Sequence, residues 1–200
     1  NSNLEVEVKF FVGEHESLRS ALRAAEATLK KPRIYERNVI YDTAAYQLKE
    51  SERLLRLRQD ERVRLTVKAP APAEAQARSE AKVRQELEIE VSDFATAEAI
   101  LGQLGYQPKL IYEKYRETWQ LGEVEIVLDE MPYGNFAELE GPEEALKTLA
   151  QQLGINWEKR MLTNYLALMS DVRAFANLSF YDITFENFAT AAFEGADLWG

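Results

Sequence analysis

Apolar and charged residues alternate along much of this chain in short runs of period two. In the first run Leu4, Val6, Val8 and Phe10 share one phase, and Glu5, Glu7 and Lys9 share the other. Successive side chains of a strand point to opposite faces, so such a run predicts a strand with one dry side and one wet side. The pattern recurs over residues 34–42, 53–59, 62–68, 83–91, 111–119, 123–129 and 135–140, which with the first run makes eight predicted strands. Several are separated only by short turn-like gaps, and such gaps favour antiparallel neighbours.

Helical periodicity punctuates the strands. Leu18, Leu22, Ala25 and Leu29 predict a helix over 17–30 with Ser17 as N-cap. Residues 92–105 offer Ser92 or Asp93 as cap and Gly105 as stop, and residues 141–154 repeat the plan with Pro142 in the first turn and Gly154 as stop. A fourth helix is expected over 160–174. Residues 69–81, "APAPAEAQARSEA", lack core periodicity and read as a mobile loop. They are not a domain linker, because strands of one type flank them. In the tail Leu178, Ile183, Phe188, Phe193 and Leu198 fall five residues apart. A pentapeptide solenoid has that period, but five coils without caps make a poor independent fold. A terminal segment packed on the main domain is the stronger expectation, dividing the chain into a domain over 1–170 and an extension over 171–200.

The charged phases decide how the strands assemble. Glu5, Glu7 and Lys9 share one side of the first strand, Arg56 and Arg58 of the third, and Arg64 and Lys68 of the fourth. Glu86, Glu88 and Glu90 follow, then Lys114 with Arg116, Glu125 with Asp129, and Glu138 with Glu140. Any one of these faces is ordinarily a solvated surface laced with weak ion pairs. Seven of them together favour closure of the sheet, with the apolar faces outward against helices and the charged faces inward. A dry interior cannot hold so many ions, because each unpaired buried charge costs several kcal/mol. The bore must therefore be wet and accept a ligand. Clustered Arg and Lys suit a polyanion, and converging carboxylates suit hard cations such as Mg2+ or Mn2+.

Composition narrows the classes. An apolar share of 46% over 200 residues supports a sizeable core, and the absence of cysteine removes disulfides, thiolate metal sites and a cysteine nucleophile. That usage fits a reducing compartment, with the cytoplasm as default. A net charge of -10 argues against coating a nucleic acid duplex. Neither an 18-residue apolar stretch nor a secretory leader is visible, so no membrane association is expected. The chain carries no GxxxxGK[ST], GxGxxG or HExxH, and its one histidine, His15, reads as a surface residue in a polar segment.

Taken in order, the motifs are ExExK (Glu5, Glu7, Lys9), "YDT", "LRLR", "LTVK", "RQELEIEV", "EKYR", "LDE" and "GNFAELEG". As a set they resemble the CYTH superfamily, the triphosphate tunnel metalloenzymes, over roughly residues 4 to 170. That family includes class IV adenylyl cyclases, thiamine triphosphatases and inorganic triphosphatases. The resemblance implies an α+β fold, an eight-stranded antiparallel closed β-barrel, or tunnel, with helices packed outside. It implies Mg2+ or Mn2+ as cofactor, held by Glu5, Glu7, Glu138 and Glu140 with Glu88 and Asp129 as further ligands. It assigns a small-molecule triphosphate to Lys9, Arg56, Arg58, Lys68, Lys114 and Arg116, and the catalytic roles to Glu7, Glu88 and Lys9.

The function so implied is metal-dependent hydrolysis of tripolyphosphate, thiamine triphosphate or a nucleoside triphosphate. A class IV adenylyl cyclase and a non-catalytic polyphosphate- or nucleotide-binding module are the rivals. One motif departs from the pattern: relatives often place a lysine before a Ser-Tyr pair in the last helix, where this chain has Thr163, Asn164 and Tyr165, with Lys159 and Arg160 nearby. The aromatic-rich tail could seal one tunnel end or equally meet a second subunit in a homodimer.

Overall fold

The computed structural model describes residues 4–191, 193 and 195–199. All eight expected strands form: β1 (Leu4–Val12), β2 (Thr28–Asp42), β3 (Leu54–Gln59), β4 (Val63–Pro70), β5 (Lys82–Val91), β6 (Gln107–Leu121), β7 (Val124–Met131) and β8 (Gly134–Glu140). They close into a ring in the order β1-β5-β4-β3-β2-β6-β7-β8, with β8 returning to β1 and every pairing antiparallel. The registers put Glu7 opposite both Lys82 and Glu140, Arg56 opposite Thr66, Thr66 opposite Glu88, Glu36 opposite Lys114 and Arg116 opposite Asp129. Residues directly opposite share a sheet face, so one phase of every strand points into the bore.

The other phase is apolar and carries the helices. α1 (Glu16–Ala24) and α5 (Glu143–Gln152) bury Leu18, Leu22, Leu146 and Leu149 against Val8, Phe10, Ile126, Leu128 and Leu139. α4 (Phe94–Gln103) buries Ala97 and Leu101 against Val39, Tyr41, Leu55 and Leu57. The Asp93 carboxylate caps α4 by accepting from the Thr96 N–H at 2.6 Å, and Gly105 (φ 87°) supplies the left-handed stop. Pro142 sits one position earlier than expected, as the N-cap of α5.

One end of the ring is closed. At that end the inward phase turns apolar: Phe11, Ile40, Leu54, Tyr112, Met131 and Phe136 come from six different strands. They pack against Tyr165, Leu168, Met169 and Val172 of α6 (Tyr165–Ala176) and against Ile183 and Phe188 of the tail. Backbone hydrogen bonds from Glu113 N–H to Ile183 and from Ile183 N–H to Ile111, each 2.8 Å, stitch the tail to β6. All five evenly spaced tail residues face this cluster, so their period serves packing and not a solenoid. The tail includes short helices α7 (Phe185–Phe188) and α8 (Ala196–Trp199), and α6 itself runs across position 170.

Several local expectations are corrected. The helix expected over 17–30 ends at Ala24, is preceded by His15 instead of Ser17, and gives way to β2 at Thr28. Leu29 fits the helical spacing, but Glu26 at φ 59° breaks the helix first, and Pro32 would not be accommodated within one. His15 is buried, with Nε2 3.0 Å from the carbonyl oxygen of Phe136, and burial lowers its pKa. The segment read as a mobile loop contains α3 (Ala73–Ala77), from which the Gln76 side chain donates to the Ala81 carbonyl and accepts from the Val83 N–H. A further one-turn helix, α2 (Gln47–Glu50), had no sequence signal; Asp42 accepts from the N–H groups of Thr43, Leu48 and Lys49 to form it. Among the described residues no helix is long and apolar enough to cross a membrane.

Candidate functional site

The charged end of the bore holds a cavity of about 360 Å³. Its walls include Glu5, Glu7, Lys9, Arg56, Arg58, Lys68, Glu88, Lys114, Arg116, Glu138 and Glu140, so every site residue expected from the sequence except Asp129 faces one shared space. Asp129 has the inward phase but lies behind the wall, fully buried. Its oxygens accept from Lys114 Nζ (2.9 Å), from Arg116 Nε and Nη2 (2.7 and 2.5 Å) and from the Tyr165 hydroxyl (2.7 Å).

Asp129 thus anchors the floor of the cavity. Arg116 Nη2 also reaches Glu138 at 2.6 Å, and Glu138 accepts from Lys9 Nζ at 2.5 Å. The Lys9 ammonium stands 4.1 Å above the Tyr165 ring, a cation–π contact that lets α6 support it from below. Burial works against ionising Glu138, yet Lys9 and Arg116 hold its carboxyl well below the usual range. Burial likewise opposes the Lys9 charge, and Glu138 and Glu7 overcome it and raise its pKa. Opposite Lys114, Glu36 is buried; burial would raise its pKa, but Lys114, Arg116 and Arg58 lower it to about 2.

A second cationic wall comes from β3 and β4. Arg56 donates to the Tyr112 hydroxyl (3.1 Å) and to Thr66 Oγ1 (3.3 Å), while Arg58 donates to Glu88 (3.1 Å). Thr66 in turn donates to Glu88 at 2.7 Å, and Arg64 pairs with Asp60. The guanidinium groups crowd one another: burial and the neighbouring Arg56 depress the Arg58 pKa, against the pull of Glu36 3.6 Å away. An anion in the cavity would relieve that like-charge crowding. Lys68 is held differently, between both oxygens of Glu5 (2.7 and 2.6 Å) and Glu86 (2.8 Å).

On the facing wall the excess is negative. Glu7, Glu140 and Glu125 lie directly opposite one another on β1, β8 and β7. Burial and the adjacent Glu125 push the Glu140 carboxyl up to about 7. Like charges across a strand pair repel, so this row suits a hard divalent cation, whose oxygen-donor preference it meets. Among the described residues no three such groups converge as a ready-made cation cage, because Glu5, Glu7 and Glu138 are turned toward lysines.

The raised Glu140 value fixes the sign of a pH effect in metal-free protein. Between about pH 4.5 and 7 the folded chain keeps a proton on Glu140 that the unfolded chain has lost, so this group's contribution to stability falls as pH rises through that window. His15, lowered from 6.5, acts in the opposite sense up to that pH. The two are separated by Glu140→Gln: melting temperatures in EDTA should fall more steeply from pH 5 to 7 in wild type than in the variant. Parallel curves would contradict the assignment.

Several lining residues escaped assignment. Arg64 shares the phase of Lys68, and Glu125 that of Asp129, so both were readable. Glu36 was masked because its phase also holds Ile34 and Ile40, and Lys82 lies one residue before the expected strand. Tyr112 and Tyr165 carry no polarity signal; only the closed ring brings them to the floor.

A family model described as the CYTH domain matches residues 3–163. No curated protein matches the chain. Similar solved structures include a proposed adenylate cyclase from Vibrio parahaemolyticus, at 23% identity and TM-score 0.75, covering 85% of this chain and 99% of that one. A protein from Pyrococcus horikoshii reaches 25% identity and TM-score 0.67, covering 84% and 99%. A proposed adenylyl cyclase from Hippeastrum with a dominant triphosphatase activity reaches 17% and 0.58, covering 84% and 95%.

Proposed function

The chain belongs to the CYTH domain family, and on that premise we propose that it hydrolyses a triphosphate inside the bore with the help of a divalent cation. The observation that carries this reading is the division of one cavity into a cationic floor and wall (Lys9, Arg56, Arg58, Lys114, Arg116) and a facing row of carboxylates. A binding module for polyanions would need only the first. Glu7, Glu140 and Glu125 would hold Mg2+ or Mn2+, which supplies charge neutralisation at phosphate oxygens and acidifies water.

The remaining work falls to the chain's own groups. Arg56, Arg58, Lys114 and Arg116 bind and straighten the phosphate chain and offset the charge on its oxygens in the transition state. Glu88 is the residue best placed to accept the proton of the attacking water: Oε2 takes the bonds from Thr66 and Arg58, and Oε1 is less engaged, 3.7 Å from Arg64. Lys9, locked to Glu138, orients a phosphate oxygen without moving a proton.

Hydrolysis is preferred to cyclisation because the only aromatic rings among the described lining residues, Tyr112 and Tyr165, are buried at the floor. Neither offers a face at the mouth on which adenine could stack. The Hippeastrum protein of like fold, with its dominant triphosphatase activity, fits the same preference. Product analysis separates the readings. With Mg2+ or Mn2+, tripolyphosphate should yield orthophosphate and pyrophosphate, and EDTA should stop the reaction. Cyclic AMP with pyrophosphate from ATP, or tight binding without any product, would replace this reading by the cyclase or the binding module.

A further inference from the structure

The carboxylate row ends on a base. Lys82, the first residue of β5, lies directly opposite Glu7, so four strands in succession present Lys82, Glu7, Glu140 and Glu125 on one line across the wall. Lys82 Nζ is 2.6 Å from Glu7 Oε1, and both side chains are largely withdrawn from solvent. Glu140 and Glu125 have no ion-pair partner among the described residues. With all three ionised, the row therefore sets three carboxylates against one ammonium, which leaves it two charges short of neutral.

A dication would complete that neutralisation, but it would then stand beside an ammonium that has lost its partner. Lys68 on the adjoining β4 is clasped by Glu5 and Glu86 together, whereas Lys82 has Glu7 alone. Its four-carbon stem gives it reach to turn from the row into the cavity that it also lines.

We infer that Lys82 is the resident counter-ion of this row, displaced from Glu7 when a divalent cation binds and thereby released to the phosphate chain. The inference presupposes the divalent-cation reading above. Lys82 accordingly weakens cation binding to the empty protein and couples it favourably to anion binding, and such coupling is reciprocal. It also accounts for the want of a ready-made cage: Glu7 is already spoken for.

The test is a titration with Mn2+ alone, followed by electron paramagnetic resonance of the free ion, on wild type, Lys82→Met and Lys31→Met. Lys31 lines the same cavity and controls for the mere loss of a positive charge. Lys82→Met should bind Mn2+ about tenfold more tightly than wild type, with Lys31→Met within about threefold. In a parallel Mg2+ titration, the Nζ resonance missing from Lys82→Met should shift or vanish in wild type. Equal tightening in both variants, unchanged affinity in Lys82→Met, or a Lys82 resonance indifferent to saturating Mg2+ would each overturn the inference while leaving the hydrolase reading intact. Failure of wild type to bind Mn2+ would sink both.

Discussion

Replacing Asp129 with alanine is expected to lower the melting temperature of metal-free protein by roughly 10 °C. Its carboxylate is inaccessible and takes four hydrogen bonds, from Lys114, Arg116 and Tyr165. Truncation strips buried Lys114 of its closest acid and half-buried Arg116 of one of its two, and breaking a buried ion pair from one side costs about 3–5 kcal/mol. For a chain of this size each kcal/mol corresponds to about 2–4 °C. The sign matters more than the size. A carboxylate that, like Glu140, has no cation beside it until a metal binds is repelled by its neighbours in metal-free protein, so removing it should leave that protein as stable or more so. Thermal melts in EDTA therefore distinguish an anchor from a ligand; a melting temperature that is unchanged or raised in Asp129→Ala would return Asp129 to the ligand set.

Glu7→Gln should show the opposite balance: turnover of tripolyphosphate reduced about 10³-fold, the scale of losing one group that stabilises transition-state charge, with the fold intact. Glutamine keeps the shape of the side chain and can still meet Lys82, so little stability is at risk. What it removes is a charge. Glu7 stands at the centre of the row, flanked by Lys82 on one strand and Glu140 on the other. Lys9 and Lys82 hold Glu7 ionised and its pKa below the ordinary value, although burial alone would raise it. Steady-state phosphate release, alongside circular dichroism and a melting curve, measures both parts. Wild-type turnover in a folded Glu7→Gln protein would remove Glu7 from the chemistry.

Much of this architecture could be read from the residues because period two survives any way of closing a sheet. Glu5, Glu7 and Lys9 must share a side wherever β1 goes, and the same holds for Arg56 with Arg58 and Glu138 with Glu140. Phase, however, says nothing of depth. Asp129 and Glu138 look alike along the chain, yet one lies behind the wall and the other on it: Lys114 and Tyr165 join Arg116 on Asp129, whereas Glu138 shares Arg116 with Lys9. Helix ends were read less well where two periods overlap: Leu29 satisfies the helical spacing of Leu22 and Ala25 but belongs to β2. The tail shows a third limit. Its five-residue period announced a repeating contact, but the partner surface is assembled from Ile40, Met131, Phe136 and α6, which nothing local in the tail encodes.

The central claim is spatial: the inward phases of the eight strands form one wet site for a phosphate chain. It is tested most directly by a crystal structure of the metal-free protein soaked in tripolyphosphate. Phosphate oxygens should appear within hydrogen-bonding reach of Arg56, Arg58, Lys114 and Arg116, inside the bore. An empty bore, or a chain bound on the outer surface, would contradict the account.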